Sequence, residues 1–132
     1  MIVLDENIHD SHILDSVRRR YRGRIVSVVD LRPQTIIKDD AIPGLLLQSQ
    51  STTFVTINVD DFWRKILPHP GYCVVTIPLP QQMALKAPDL LHRLLRLNSY
   101  RTKASRMRHI FRLTPDAFRY YTNNRSVIDQ NW

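Results

Sequence analysis

With 132 residues, 43% of them apolar, and a formal net charge of +7, the chain can bury one hydrophobic core and carries surplus positive charge. No apolar run approaches the roughly 20 residues that span a bilayer, and the apolar run at Met1 has no basic n-region or cleavage site, so we expect neither a membrane span nor a secretory signal. The single cysteine, Cys73, excludes a disulfide framework, and we expect a protein of the reducing cytoplasm.

Apolar runs and turn residues predict strands and helices in alternation. Short β-branched runs predict strands at 1–4, 25–29, 53–58 and 72–77. Apolar residues at helical spacing predict helices from Asp10 or Ser11 to Gly23, from Asp39 to about Ser49, around 62–66, and over 88–98. A loop around Pro33 spans 31–38, and a basic strand pair follows at 107–113 and 117–122.

This alternation predicts parallel strands joined by right-handed crossovers. The expected fold is therefore α/β, a three-layer sandwich with a mostly parallel central sheet. We expect residues 1–122 to form a single domain and residues 123–132 to form a polar, frayed tail.

Acids cluster where elements meet. Asp5-Glu6-Asn7 follows the first strand, Asp39-Asp40 opens the second helix, and Asp60-Asp61 follows the third strand. The carboxyl ends of parallel strands lie along one edge of a sheet, and carboxylates held together there suit a hard divalent cation. The pattern predicts an Mg²⁺ or Mn²⁺ site for phosphodiester cleavage. Each group could instead cap its helix and complement the helix dipole.

Basic residues, most of them arginine, form two clusters. The first holds Arg18, Arg19, Arg20, Arg22 and Arg24, and the second is spread over residues 93–112. Guanidinium groups match phosphate oxygens, so the clusters predict a nucleic acid as partner, with residues 18–24 holding phosphates that flank the scissile bond. The alternative is a solubilising surface.

Three motifs resemble one known family. Leu4-Asp5-Glu6-Asn7-Ile8, the acid that opens the second helix, and the segment Thr56–Phe62 resemble the PIN-like predicted nucleases of toxin–antitoxin systems, compact relatives of the PIN-domain ribonucleases. The resemblance covers roughly residues 1–100 in element order. It implies an Mg²⁺- or Mn²⁺-dependent endoribonuclease that acts as a toxin. Its partners would be RNA and a small antitoxin protein, and a homodimer stays open.

The family's site residues carry over in part. The resemblance makes Asp5 a metal ligand supported by Glu6 and Asn7, and it selects Asp39 with Asp40 as the competitor. The third motif has one residue more than the family's Thr-x-Asp-x-Asp-Phe. Anchored on Thr56, its acids fall on Asn58 and Asp60; anchored on Phe62, they fall on Val59 and Asp61, so one ligand is neutralised or lost either way. The expected catalytic set is Asp5, Asp39 and Asp61, with metal ligands drawn from these and from Asp40 and Asp60, and Asn58 in support.

Two other functional classes remain open. One is a PIN-like module that binds nucleic acid or a protein without cleaving, which the altered third motif permits. The other is a phosphatase or receiver-like domain with Asp5 as nucleophile. It ranks last, because the lysine and Thr/Ser pair that such sites use do not follow the strands in the usual arrangement.

Overall fold

The computed structural model describes residues 1–8, 10–31, 38–124 and 126–132. Within these ranges the strands are β1 (Ile2–Leu4), β2 (Ile25–Ser27), β3 (Thr52–Thr56), β4 (Tyr72–Thr76), β5 (Ile110–Leu113), β6 (Ala117–Tyr121) and β7 (Ile128–Asn131). The α-helices are α1 (Ser11–Arg20), α2 (Val28–Leu31), α3 (Ile42–Leu46), α4 (Val59–Phe62), α5 (Ala87–Arg96) and α6 (Lys103–Arg106). Short 3-10 helices cover Glu6–Ile8, Asp39–Ala41 and Gln81–Lys86.

All seven strands form one sheet in the order β2-β1-β3-β4-β5-β6-β7. Pairing is parallel from β2 through β5, and the last two pairs are antiparallel. Leu4 pairs with Val55, and Val55 with Val75, so β1, β3 and β4 end at the same edge. The predicted α/β class with a mostly parallel sheet is confirmed.

Helices cover both faces of the sheet. Ile2 and Leu4 of β1 point into a core shared with α1 and α5, whereas Val3 between them points into a core shared with α3 and α4. This alternation follows from the two-residue period of a strand, and burial on both faces explains why β3 and β4 are buried throughout. The arrangement is that of a three-layer sandwich.

Local hydrogen bonds explain where several elements begin. The Asp10 side chain accepts a bond from the His12 amide at 2.8 Å and starts α1 at Ser11. The strand predicted to run to residue 29 ends at Ser27, because Ser27 Oγ accepts from the Val29 amide at 3.3 Å and α2 begins there. The strand predicted from residue 107 begins at Ile110, since a capping box starts α6 just before it.

The expected frayed tail is wrong for its last residues. Residues 128–131 form β7 at the edge of the sheet, and the Trp132 indole donates to the Thr114 carbonyl at 2.7 Å. Trp132 also packs on Phe118, with ring centroids 4.8 Å apart, and lies under the Arg93 guanidinium. The chain end is therefore tied to the sheet. Most of the predicted loop 31–38, namely residues 32–37, lies outside the described residues.

Candidate functional site

Asp5 directly follows β1 and is buried, with only 6% of its surface exposed. Its two carboxylate oxygens accept hydrogen bonds from Thr56 Oγ1 at 2.6 Å and from the Glu6 amide at 2.8 Å. Burial raises the pKa of Asp5, while these two hydrogen bonds act in the opposite direction. The end of β1 therefore holds a carboxylate in one orientation against the end of β3.

Thr56 and Asn58 connect Asp5 to a second acid. Thr56 Oγ1 accepts from the Asn58 amide at 3.0 Å, and Asn58 Nδ2 donates to an Asp61 oxygen at 2.5 Å. The hydrogen bond from Asn58 lowers the pKa of Asp61, with smaller contributions in the same direction from Asp39 and from the charge of Lys65. Asn58 therefore adds no charge of its own but orients Asp61 and keeps it ionised.

Asp39, the first residue of the 3-10 helix before α3, completes the group. Its pKa is raised to about 6, first by partial removal of its carboxyl group from water, and then by a hydrogen bond with Asp61 and by the negative charges of Asp61, Asp5 and Glu6. The Asp39–Asp61 pair thus holds one proton between two carboxyl groups until about pH 6. We call Asp5, Asp39 and Asp61 the acid rim.

The other two acids of these motifs lie differently. Asp40 lines the same open cleft as Asp39 and Asp61, a space of about 490 Å³ that Lys65 also borders. Asp60 instead borders a separate depression with Pro78 and Pro80. Successive residues of a helix point about 100° apart, so Asp60 and Asp61 on α4 face different surroundings.

Glu6 and Asn7 flank the acid rim. Glu6 is exposed, and its charge acts on both Asp5 and Asp39. The Asn7 carbonyl accepts from Gln81 Nε2 at 2.7 Å, which ties the residues after β1 to the segment before α5. Asn7 Oδ1 is buried without a hydrogen-bond partner within the described ranges. It is a hard oxygen atom on the second residue after Asp5, and a buried oxygen of this kind needs a hydrogen-bond donor or a cation as partner.

These donors fit a water-rich cation site better than a closed cage. Among residues 1–8, 10–31, 38–124 and 126–132, no group of three or more His, Cys, Asp or Glu side chains encloses a metal position. Mg²⁺, however, is commonly held by one or two carboxylates and keeps several waters. Asp39 and Asp61 are such a pair, and a cation would take the place of the proton between them.

The first arginine cluster lies at the other end of the sheet. Helix α1 runs back from the acid rim, so its last residues, Arg18, Arg19 and Arg20, lie near the amino ends of the strands. Arg24 confirms this position, because its carbonyl accepts from the Ile2 amide at 2.8 Å at the start of β1. A strand as long as β3, with five residues, spans about 16 Å. These arginines lie about a strand length from the acid rim, and their expected contact with phosphates that flank the scissile bond stays a prediction.

The two basic clusters meet at that far end. Arg20 and Arg22 border a cleft of about 400 Å³ together with residues from the second cluster, Arg96, Arg101 and Arg106. Arg20 also pairs with Asp89 on α5 at 2.5 Å. We call this surface the basic cleft.

Several of these residues were missed from the sequence. In the sequence, Thr56 was used only to align the third motif. A hydroxyl at the last position of a strand, beside another strand that ends in an acid, could have predicted its hydrogen bond to Asp5. Nothing in the sequence marks Lys65, three residues after Phe62, as part of the site. The convergence of Arg96, Arg101 and Arg106 with the first cluster depends on tertiary packing, which the separate clusters do not reveal.

Comparison of the chain with protein-family models, with curated proteins and with solved structures finds no match. Among the helices in the described part of the chain, none is both long enough and apolar enough to cross a bilayer.

Proposed function

We propose that the protein is a PIN-like, Mg²⁺- or Mn²⁺-dependent endoribonuclease that acts in the cytoplasm as the toxin of a toxin–antitoxin pair. The observation that carries this proposal is the meeting of Asp5, Asp39 and Asp61 at the carboxyl ends of β1 and β3, close enough for each to act on the pKa of another. Strand ends of this kind are where open α/β sheets place their sites.

The residues of the acid rim have distinct tasks in this proposal. Asp39 and Asp61 would hold the cation directly, while Asp5, fixed by Thr56, would add negative charge from the buried side. Asn58 keeps Asp61 aimed at Asp39. When bound, a divalent cation supplies the positive charge that lowers the pKa of water and offsets charge on the leaving oxygen.

The shape of the cleft supports a polymer as substrate. The acid rim borders an open cleft rather than an enclosed pocket, and Lys65 lies on its wall with Ile66 and Leu67. An ammonium group there can contact a phosphate of the strand. Leu67, 62% exposed, offers an apolar surface for a base.

A pair of matched variants tests cleavage. Asp5→Asn keeps the side-chain shape and removes the charge, whereas Asp60→Asn makes the same change at an acid that borders another depression. Cleavage of single-stranded RNA in Mn²⁺ should fall at least about 100-fold in Asp5→Asn, in the range that losing one stabilising group costs. Asp60→Asn should stay within a few-fold of the parent, and EDTA should stop both. Equal losses of cleavage in the two variants would refute the assignment of the acid rim as the site of cleavage.

A second function is favoured by a specific observation. The chain carries Asn58 where the PIN-like pattern has an acid, and the described residues hold no three-acid cage. Both features favour a module that binds RNA or a protein partner without cleaving. RNA binding that persists without cleavage in both Mg²⁺ and Mn²⁺ would establish this alternative.

The antitoxin part of the proposal needs its own test. Expression of the parent chain in a bacterial host should arrest growth, and Asp5→Asn should not. Co-expression of a small protein encoded beside it should restore growth and co-purify with both forms. If expression of the parent chain does not slow growth, the protein is not a toxin, and cleavage in vitro is then judged by its own test.

A further inference from the structure

The basic cleft joins arginines that are far apart in the sequence. Arg20 ends α1 and Arg22 follows it, whereas Arg96 ends α5, Arg106 ends α6, and Arg101 lies between those two helices. We propose that this cleft binds the terminal phosphate of an RNA strand. The proposal concerns binding alone and does not depend on cleavage at the acid rim.

Arg106 is the strongest single observation. It is buried, with 1% of its surface exposed, and it is among the residues that line the cleft. Its Nε donates to Thr53 Oγ1 at 3.3 Å, and its Nη1 donates to the carbonyls of Tyr100 and Arg101 at 3.0 and 3.1 Å. These oxygens are all neutral, and no carboxylate within the described ranges forms an ion pair with Arg106. A buried charge without a counter-charge is costly, and an anion in the cleft would supply one.

Helix dipoles do not explain the cluster. Arginines in the last turn of a helix complement its dipole, and this applies to Arg20, Arg96 and Arg106, although α6, which Arg106 ends, has only four residues. Arg22 and Arg101 lie outside the helices. Asp89 offsets the charge of Arg20 alone, so the cleft keeps a surplus of positive charge.

Together with burial, this surplus of positive charge lowers the pKa values of neighbouring groups. Burial lowers the pKa of His92, and the charges of Arg20 and Arg96 lower it further against the opposing effect of Asp89. Burial also lowers the pKa of the Met1 amino group, with the charges of Lys103, Arg106 and Arg24 acting in the same direction. The field at this end of the sheet is therefore positive.

The arrangement favours a terminal phosphate over other anions. Guanidinium groups that converge on one cleft match a single group with more than one charge, and a terminal phosphate carries about −1.5 to −2 at pH 7. The phosphodiesters of a passing strand carry one charge each and would be matched by a stripe. Tyr21 and Leu95 also border the cleft and offer a surface for the terminal base.

Three ten-nucleotide RNAs of one sequence test the proposal by fluorescence anisotropy in EDTA: one with a 5′-phosphate, one with a 3′-phosphate, and one with hydroxyls at both ends. At least one phosphorylated RNA should bind about tenfold more tightly than the unphosphorylated one. The double variant Arg96→Gln/Arg101→Gln should abolish this preference. Arg18→Gln/Arg19→Gln removes the same charge near the cleft without altering its lining, and should keep the preference with an overall loss of about two-fold.

Exposed arginines are chosen because a change at Arg106 could unfold the chain, and equal melting temperatures confirm that the variants are comparable. Equal binding of all three RNAs would overturn the proposal. So would displacement by adenosine monophosphate at the RNA's own concentration, which assigns the cleft to free nucleotides. Displacement by a polyglutamate peptide at that concentration would overturn it too, because the cleft would then bind an acidic protein segment.

Discussion

The acid rim and the basic cleft lie at opposite ends of one sheet, and they are built differently. The acid rim is assembled from residues next to strand ends, linked by hydrogen bonds from Asp5 through Thr56 and Asn58 to Asp61. The basic cleft is assembled from helix ends and connecting segments that meet only after α1 packs beside α5. Asp5 lies at the carboxyl end of β1, whereas α1 returns the chain to the amino end of β2. Residues that are close in the sequence therefore lie at opposite ends of the parallel sheet.

This difference has a consequence for charge. Arg18, Arg19 and Arg20 follow Asp5 by fewer than twenty residues, yet the charge that lowers the pKa of Asp61 is that of Lys65. The two ends are therefore separate electrostatic environments, about a strand length apart. A change at one end should leave the other end unaffected, and the predictions below test this separation.

The largest effect is expected at Phe62. This side chain is fully buried, packs against Phe54 with ring centroids 5.3 Å apart, and directly follows Asp61 on α4. Phe62→Ala should lower the free energy of unfolding by about 3–5 kcal/mol, because it leaves a cavity. Cleavage should fall as α4 loosens, while discrimination of terminal phosphates persists.

The matched variant is Phe62→Leu, which keeps most of the apolar volume and should cost under about 1.5 kcal/mol. Denaturant titration measures the free energy of unfolding, and the two RNA assays measure cleavage and the discrimination of terminal phosphates. Loss of phosphate discrimination in a folded Phe62→Ala protein would break the separation of the two ends.

The next effect is expected at Thr56. Thr56→Val removes the hydroxyl that donates to buried Asp5, so the free energy of unfolding at pH 7 should fall by about 1.5–3 kcal/mol. Thr76→Val is the control. Thr76 lies beside Thr56 in the sheet and donates to the neutral Phe111 carbonyl, so its loss should cost about 0.5–1.5 kcal/mol. Equal losses in urea titration would show that the Asp5 carboxylate gains nothing special from Thr56.

A smaller, pH-dependent effect is expected at Asp39. Its pKa is raised from 3.8 to about 6 in the folded protein, so the folded state binds more protons than the unfolded state between these values. Stability from this group is therefore present below pH 3.8 and is lost as pH rises through about 6. Asp39→Asn should melt above the parent at pH 8 and lose that advantage at low pH.

Because Asp39 is exposed to solvent, screening limits this gain to less than about 1 kcal/mol. The control is Asp40→Asn, which removes an equal charge from the same turn and leaves the Asp39–Asp61 hydrogen bond in place. Mg²⁺ should also stabilise the parent more at pH 8 than at pH 5, because a cation competes with the proton. Identical melting profiles for the two variants would contradict a shared proton.

The smallest effect is expected at Asp89. Its ion pair with Arg20 is exposed, so Asp89→Asn should change the free energy of unfolding by less than about 1 kcal/mol. The change should nevertheless lower the pKa of His92 further, since the charge of Asp89 acts to raise it. Arg96→Gln should move the pKa of His92 in the opposite direction. An NMR titration of the His92 ring measures both shifts, and shifts of the same sign would contradict the described field.

The sequence predicted much of the fold, because alternating strand and helix patterns and the helix start at Asp10 are local signals. It missed β7, because three of its four residues are polar and all four are exposed, so the segment lacks an alternating strand period. It placed Asp5, Asp39 and Asp61 at one edge but could not choose between neighbours such as Asp60 and Asp61. One residue along a helix redirects the side chain by about 100°, and that rotation depends on tertiary packing, such as the burial of Phe62 against Phe54.

The most direct test of the acid rim as a divalent-cation site is paramagnetic broadening by Mn²⁺, followed on the amide NMR signals of the chain. The proposal predicts that substoichiometric Mn²⁺ broadens the signals of Glu6, Asn58 and Asp61 first and leaves those of Gly23 and Arg101 sharp. Asp39→Asn should remove the effect. Uniform broadening, or no broadening at millimolar Mn²⁺, would contradict a cation site at the acid rim.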